Sequence, residues 1–238
     1  MRRFNAIFRK EMHAYFTSPT SYVAFAVYVL ISSILFYMNF VMFQPSIIDF
    51  RLVSGNATFM YVFVIPLLTM RLFSDEFRQG TDELLLTSPA RMTEIVLGKY
   101  AAALVLMVVL VGFTLIYPIV MSFYGTLDMK MMITSIIGML LLTAAMAAVG
   151  LFASTLSQHQ MVTAIASFVM LLTFWTMLDW AASSSGTLGE WLMPFAMNTR
   201  LDSFMKGVLN GADVLFFITL TAVFVVLSIQ VLERKRWR

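Results

Sequence analysis

"RLFSDEFRQGTDELLLTSPARMTEIVLGK", residues 71–99, carries nine charged residues of both signs in twenty-nine, while the segments on either side carry almost none. Read locally, "SDEFRQG" extends a preceding apolar helix and stops at Gly80. Thr81 can cap a new short helix, with Asp82 and Glu83 in its first turn, where the helix dipole favours acids. Leu84, Leu85 and Leu86 give that helix an apolar side, and "TSP" (87–89) ends it. Ser88 and Pro89 then read as N-cap and first residue of the next helix. A solvated loop has no need of three consecutive leucines. Those side chains call for a partner protein surface.

The flanking chain explains where such a surface would sit. The protein has 238 residues, 60% hydrophobic and 12% charged, with mean hydropathy +0.86. A soluble domain is about 45–50% apolar and about 25% charged. Composition therefore places the chain among integral membrane proteins. There is no Cys, which excludes disulfides, iron–sulfur clusters and a thiolate nucleophile. His13 and His159 are the two histidines, too few for zinc chemistry. The many methionines read as adaptable packers rather than ligands. The pI near 9.3 reads as topology-setting charge rather than nucleic-acid binding, because the basic residues cluster beside the apolar runs.

About twenty apolar residues cross a bilayer as a helix. Six runs qualify: 20–43, 57–73, 98–124, 131–156, 161–180 and 213–232. Arg2, Arg3, Arg9, Lys10, Arg71, Arg78, Arg91, Lys99, Arg234, Lys235, Arg236 and Arg238 fall on one side of this layout. Arg51, Lys130, Arg200 and Lys206 fall on the other. The positive-inside rule then puts both termini and the 71–99 segment in the cytoplasm. The first apolar run is too long for a signal-peptide core, so insertion without cleavage is expected.

The spans read as almost free of charge, with Asp179 the exception. Ion-driven carriers need ionisable residues within the bilayer, so any transport must draw its energy elsewhere. No G-x-x-x-x-G-K-[ST] phosphate loop occurs; "LGKY" (97–100) lacks the upstream Gly and the following Ser or Thr. Ser154, Ser157 and His159 are the best candidates for an intramembrane hydrolase. They lie outside any G-x-S-x-G elbow and read better as polar residues of a tight turn. The chain is expected to be no enzyme, with no catalytic and no metal-binding residue.

Three further segments carry pattern. "TAAMAAVG" (143–150) sets small residues four apart, a helix-packing face within the chain or between subunits. "RRFNAIFRKEMHAYF" (2–16) puts Phe4, Ile7, Phe8, Met12, Tyr15 and Phe16 on one stripe, which reads as an amphipathic helix lying along the membrane surface. "TRLDSFMKGVLNG" (199–211) reads as a short amphipathic helix with Thr199 as N-cap and Gly211 as stop.

Residues 71–99 resemble the cytoplasmic signature of type-2 ABC exporter permeases, and more narrowly the gliding-motility-associated, Gld-type branch. The residues that carry the likeness are Arg71-Leu72-Phe73, Glu76, Arg78, Gly80-Thr81, Glu83 to Thr87, Pro89, Ile95-Val96 and Leu97-Gly98-Lys99. The N-terminal "FRKEMHAYFTSPTSYV" (8–23) is similar to that branch too. The resemblance implies an all-α integral membrane fold over 1–238 as one transmembrane domain. It comprises an N-terminal interface helix (1–19), the six spans, a coupling loop (74–97) and an outer re-entrant segment (181–212).

The resemblance also implies roles. Asp75, Glu76, Arg78, Gly80, Thr81, Glu83, Leu84, Leu85, Leu86, Ser88 and Pro89 would couple to an ATPase. Phe4, Ile7, Phe8, Arg9, Lys10 and Glu11 would form the interface helix. Trp191, Leu201, Phe204 and Met205 would form an outer gate. This chain would bind no cofactor, with ATP and Mg on the partner ATPase. Expected partners are that ATPase, a second permease half (the same chain or a related one), an accessory subunit with a large extracytoplasmic domain, and lipid. The expected location is the bacterial cytoplasmic (inner) membrane. Two functions stay open: a permease driven by the ATPase, or a mechanotransmitting subunit through which nothing passes.

Overall fold

The computed structural model describes residues 2–42, 50–81, 91–178, 180 and 193–236. Among them every regular element is helical, and six helices are long and apolar enough to cross a membrane. A first helix, α1 (Arg2–Thr17), precedes them. Span one is α2 (Pro19–Phe36), prolonged by a wider π-helical stretch, Tyr37–Met42. Span two joins α3 (Arg51–Thr69) and α4 (Arg71–Gln79). Span three joins α5 (Met92–Thr114) and α6 (Ile116–Met121). Span four is α7 (Met129–Leu156). Span five is α8 (Gln160–Leu172) with a π-helical end, Thr173–Met177. A short α9 (Met197–Met205) precedes span six, α10 (Gly211–Arg236).

Spans two, three and six run further than the apolar runs alone suggest. Span two continues as helix through the charged residues 74–79, and span three begins at Met92. Hydropathy registers composition, whereas the backbone ladder continues wherever side-chain charges find partners. Span two ends at Gly80, whose φ of 65° suits a residue without Cβ. The Thr81 N–H closes the turn on the Glu76 carbonyl at 3.0 Å, a Schellman ending. The next described helix starts at Met92, and Ser88 and Pro89, expected to open it, lie outside the described residues. Arg91 is still extended (φ −74°, ψ 144°), and its N–H donates to Glu94 Oε2 at 3.1 Å.

Spans two and four form the core. Ala145, Ala147 and Ala148 of α7 are fully buried. A Cβ added at Gly150 would lie 2.8 Å from Thr69 Cβ and closer still to its hydroxyl. The small-residue face of "TAAMAAVG" thus packs inside the chain, not between subunits; without side chains there, the two backbones approach as lipid-embedded helices do. Spans one, two and three are joined by buried hydroxyls: Tyr28 to Thr114 at 2.5 Å, Tyr61 to Thr114 at 2.9 Å and Ser32 to Tyr117 at 2.6 Å. Such groups must pair where no water reaches them.

Of the two flanking helices, the one expected at 199–211 has its ends corrected. The apolar stripe of α1 packs in part on span three, with Ile7 Cγ2 3.0 Å from where a Cβ at Gly98 would sit, while Phe16 on the same stripe stays 46% exposed. In α9, Thr199 lies inside the helix and Ala196 precedes it. The helix stops with Gly207 at φ 80°, where the Val208 N–H meets the Ser203 carbonyl at 3.0 Å. Gly211 opens α10 instead. Burial of Met197, Leu201 and Phe204, spaced for one helix face, demands the earlier register. Gly138 makes room for it: a Cβ there would lie 2.7 Å from Phe204 Cβ.

Candidate functional site: a charged joint at one end of the bundle

The charges of 71–79 meet partners from the whole bundle. Lys99, 1% exposed, sits inside span three, two turns from its start. Its ammonium donates to Glu11 Oε1 at 2.7 Å and to the Leu72 carbonyl at 2.6 Å. Glu76 Oε1 lies 3.1 Å away, and the Phe73 ring centroid 5.0 Å. Lys10 reaches the same Glu76 oxygen at 2.9 Å. Two lysines and two glutamates, from α1, α4 and α5, therefore form one compact neutral set. Burial by itself would lower the Lys10 ammonium; the hydrogen bond and charge of Glu76, helped by Glu11, outweigh it and hold Lys10 above its ordinary value.

A second chain of contacts runs beside the first. Arg71 Nε binds Asp75 Oδ2 at 2.9 Å. The Arg71 guanidinium also binds the Ser18 hydroxyl, and Thr20 at 3.2 Å, which grips the elbow between α1 and span one. The Gln160 amide at the start of span five donates to Asp75 Oδ1. Lys235 of span six stands 3.8 Å over the Phe77 ring and donates to the Thr155 carbonyl of span four at 2.8 Å. That carbonyl belongs to the last turn of α7, where a cation is favoured. Tyr15 completes the seat of α1, donating to the Leu68 carbonyl at 3.2 Å. Burial, reinforced by the Glu11 charge, pushes its phenol well above its ordinary value. Every span thus contacts α4 or a residue bound to it. A cleft of about 200 Å³ remains beside Lys10, Tyr15, Arg71, Glu76 and Gln79.

The sequence-expected residues divide three ways. Asp75, Glu76 and Glu11 are inside the joint. Arg78 points outward, its side chain 60% exposed, and Gly80 and Thr81 end the helix. Arg9 and Lys10 line the exposed side of α1, with Phe4, Ile7 and Phe8 half-buried. Glu83, Leu84, Leu85, Leu86, Ser88, Pro89 and Trp191 lie outside the described residues. Leu201 and Phe204 are buried and Met205 half-buried. They pack α9 onto α7.

The far end holds a buried ion pair that composition left unread. Arg200 Nη1 binds Asp213 Oδ1 at 2.7 Å, and Arg200 Nε donates to the Pro194 carbonyl at 3.1 Å. Asp213 is 2% exposed. Sequence reading also missed Lys99, Gln160 and Lys235 as joint members. A signal existed for Lys99: a charge inside an apolar run needs a partner, and Glu11 is the sole acid before residue 49. The hydrolase candidates come apart. Ser154 donates to the Leu151 carbonyl at 2.6 Å, and Ser157 Oγ accepts the His159 backbone N–H at 3.1 Å. Both are structural bonds. Among the described residues no group of three acids and histidines gathers for a metal.

Residues 5–237 match the family model described as "ABC-2 family transporter protein". No curated protein matches the chain.

Proposed function

The chain belongs to the ABC-2 transporter family, and on that premise we propose that it is the permease subunit of an exporter whose ATP hydrolysis takes place on a separate polypeptide. Membership implies an ATPase partner and a membrane setting. The observation that carries the finer reading is the joint. α4 gathers the ends of all six spans and of α1, and it leads directly into "TDELLLTSP" (81–89). A partner that seats 81–89 would move a helix to which the whole bundle is tied. Leu84 and Leu85 would dominate docking, at about 1.5–3 kcal/mol for each fully buried side chain. Exposed charge pairs by Glu83 or Arg78 would add only about 0–1 kcal/mol and set register.

In this reading the charged end faces the cytoplasm of a bacterial inner membrane. ATP and Mg stay on the ATPase, two permease halves work together, and an extracytoplasmic accessory subunit joins them. The Gld-type likeness is part of the same proposal, as is an outer gate formed by Leu201, Phe204 and Met205. The lipid-accessible faces of spans one and five are apolar, with Val23, Val27, Leu30 and Ile34 exposed on one and Met161, Ile165 and Val169 on the other. If those faces meet a second permease half, the contact would be apolar and sealed, which is what the second reading, a mechanotransmitting subunit through which nothing passes, requires.

The test is co-purification. Changing Leu84 and Leu85 together to Ser should abolish capture of the ATPase with membrane insertion intact, and Glu83→Gln should weaken ATP-driven activity more than binding. The purified chain should hydrolyse no ATP. A complex that stays assembled and active with both leucines changed defeats the coupling assignment.

A further inference from the structure

At the end of the bundle away from the joint, span three breaks. α5 ends at Thr114, α6 starts at Ile116, and Pro118 lies inside the second piece. A proline there has no N–H for the carbonyl four residues back, and its ring crowds that carbonyl. Beside this break lies a cavity of about 590 Å³, open to the side. Its walls are Leu115, Pro118 and Ile119 of span three and Met129, Met132 and Ile136 of α7, closed by the loop 125–127. The Ser122 hydroxyl at its edge is committed to the Ile119 carbonyl at 2.7 Å. Apolar walls give water too few partners to stay; they suit a hydrocarbon chain.

The rim sets depth and charge. Phe123 and Tyr124 are 83% and 71% exposed, and aromatic rings in such positions mark headgroup level. The cavity beneath them then lies at acyl-chain depth. Asp128 and Lys130, both exposed, alternate along the chain with the lining residues Leu127 and Met129. Asp128 Oδ1 caps α7, accepting the Lys130 and Met131 N–H groups at 2.9 and 3.3 Å. The rim thus carries one acidic and one basic side chain two residues apart.

We propose that this cavity holds one acyl chain of a glycerophospholipid with a zwitterionic, primary-amine headgroup. The phosphate meets Lys130 and the ammonium meets Asp128. A headgroup with no cation leaves Asp128 facing a phosphate, and a fully methylated ammonium has no proton to donate to it. The proposal is independent of any ATPase and of which face of the membrane the end occupies.

The experiment places the full chain in nanodiscs with trace photoactivatable phosphatidylethanolamine, phosphatidylcholine or phosphatidylglycerol, each carrying the reactive group on an acyl chain. Crosslinked peptides are mapped by mass spectrometry. Label should concentrate in residues 115–136, with phosphatidylethanolamine ahead of the other two by about two- to fivefold, the range an exposed ionic contact supplies. Asp128→Asn keeps a capping side chain and removes the charge; Lys130→Gln removes the other. Either should erase the headgroup preference while acyl labelling remains. Equal labelling by the three lipids, a preference unchanged by both variants, or absence of label in 115–136 overturns the proposal. So does crosslinking between two copies through Cys placed at Ile119, which would show a second chain in the cavity instead of lipid.

Discussion

Replacing Lys99 by Met tests the joint most directly, because Met keeps most of the length of the side chain and removes its charge. At an effective dielectric of about 20, contacts of 2.7 and 3.1 Å correspond to gross attractions of about 6 and about 5 kcal/mol. Desolvation of each ion, several kcal/mol, takes back most of that. The measurable quantity is therefore the cost of leaving Glu11 and Glu76 together without their buried cation. Breaking a buried set in this way costs about 3–5 kcal/mol. For a chain of this size that is a fall of roughly 6–20 °C in unfolding midpoint, read by thermal unfolding in lipid nanodiscs. Adding Glu11→Gln and Glu76→Gln to Lys99→Met should recover most of the loss, since a buried ion set replaced by neutral groups is close to neutral in stability. If Lys99→Met unfolds like the parent chain, the lysine is a solvated surface residue and the joint is misread. If the triple variant is as unstable as the single one, shape rather than charge holds the site.

Gly150→Ala should destabilise by about 1–3 kcal/mol, because backbone and Thr69 have nowhere to move; adding Thr69→Ala should restore part of this, as judged by the same unfolding midpoint, and full tolerance of the alanine would show that spans two and four pack loosely. At the far end, Arg200→Met should cost more than Asp213→Asn. The first strands a carboxylate that is 2% exposed, at about 3–5 kcal/mol. The second leaves an arginine that is 26% exposed and still faces an amide oxygen, at about 1 kcal/mol; equal or reversed losses contradict the pairing. Reporter fusions after residue 238 and within 181–190 should label opposite sides of the membrane, and a common side would end the six-crossing topology.

Six helices fit to cross a membrane were legible because an apolar run near twenty residues, wound as a helix, matches the thickness of a bilayer, and a water-soluble fold rarely buries so long a helix on every side. The stop at Gly80 was legible because only glycine fits the left-handed turn cheaply. What escaped the sequence was direction. The stripe Phe4, Ile7, Phe8, Met12 and Tyr15 announces an amphipathic helix, but a period of 3.6 says which residues share a face, not whether that face meets lipid or protein. Gly98 brings part of that face onto protein, by leaving room for Ile7, and its meaning depends on a contact between residues far apart in the chain. The same holds for Asp213. In sequence it stands at the mouth of an apolar run like any interfacial acid, and only the fold of α9 brings Arg200 to it.

The mixed signs of 71–99 follow from the same geometry. A purely basic segment would satisfy topology but could not be drawn in among helix ends, since each uncompensated cation would need water. Pairing Lys10 and Lys99 with Glu76 and Glu11, and Arg71 with Asp75, makes a set neutral enough to pack at the membrane boundary and directional enough to fix the neighbouring helix ends against α4. On the proposed topology the exposed Arg9, Arg78 and Arg234 would bias orientation. Two separable roles therefore share one end of the bundle. Neutralising the exposed arginines should alter topology with the joint intact, whereas neutralising Lys99 should loosen the joint with topology intact. A single variant class that disturbed both together would mean that the roles are one.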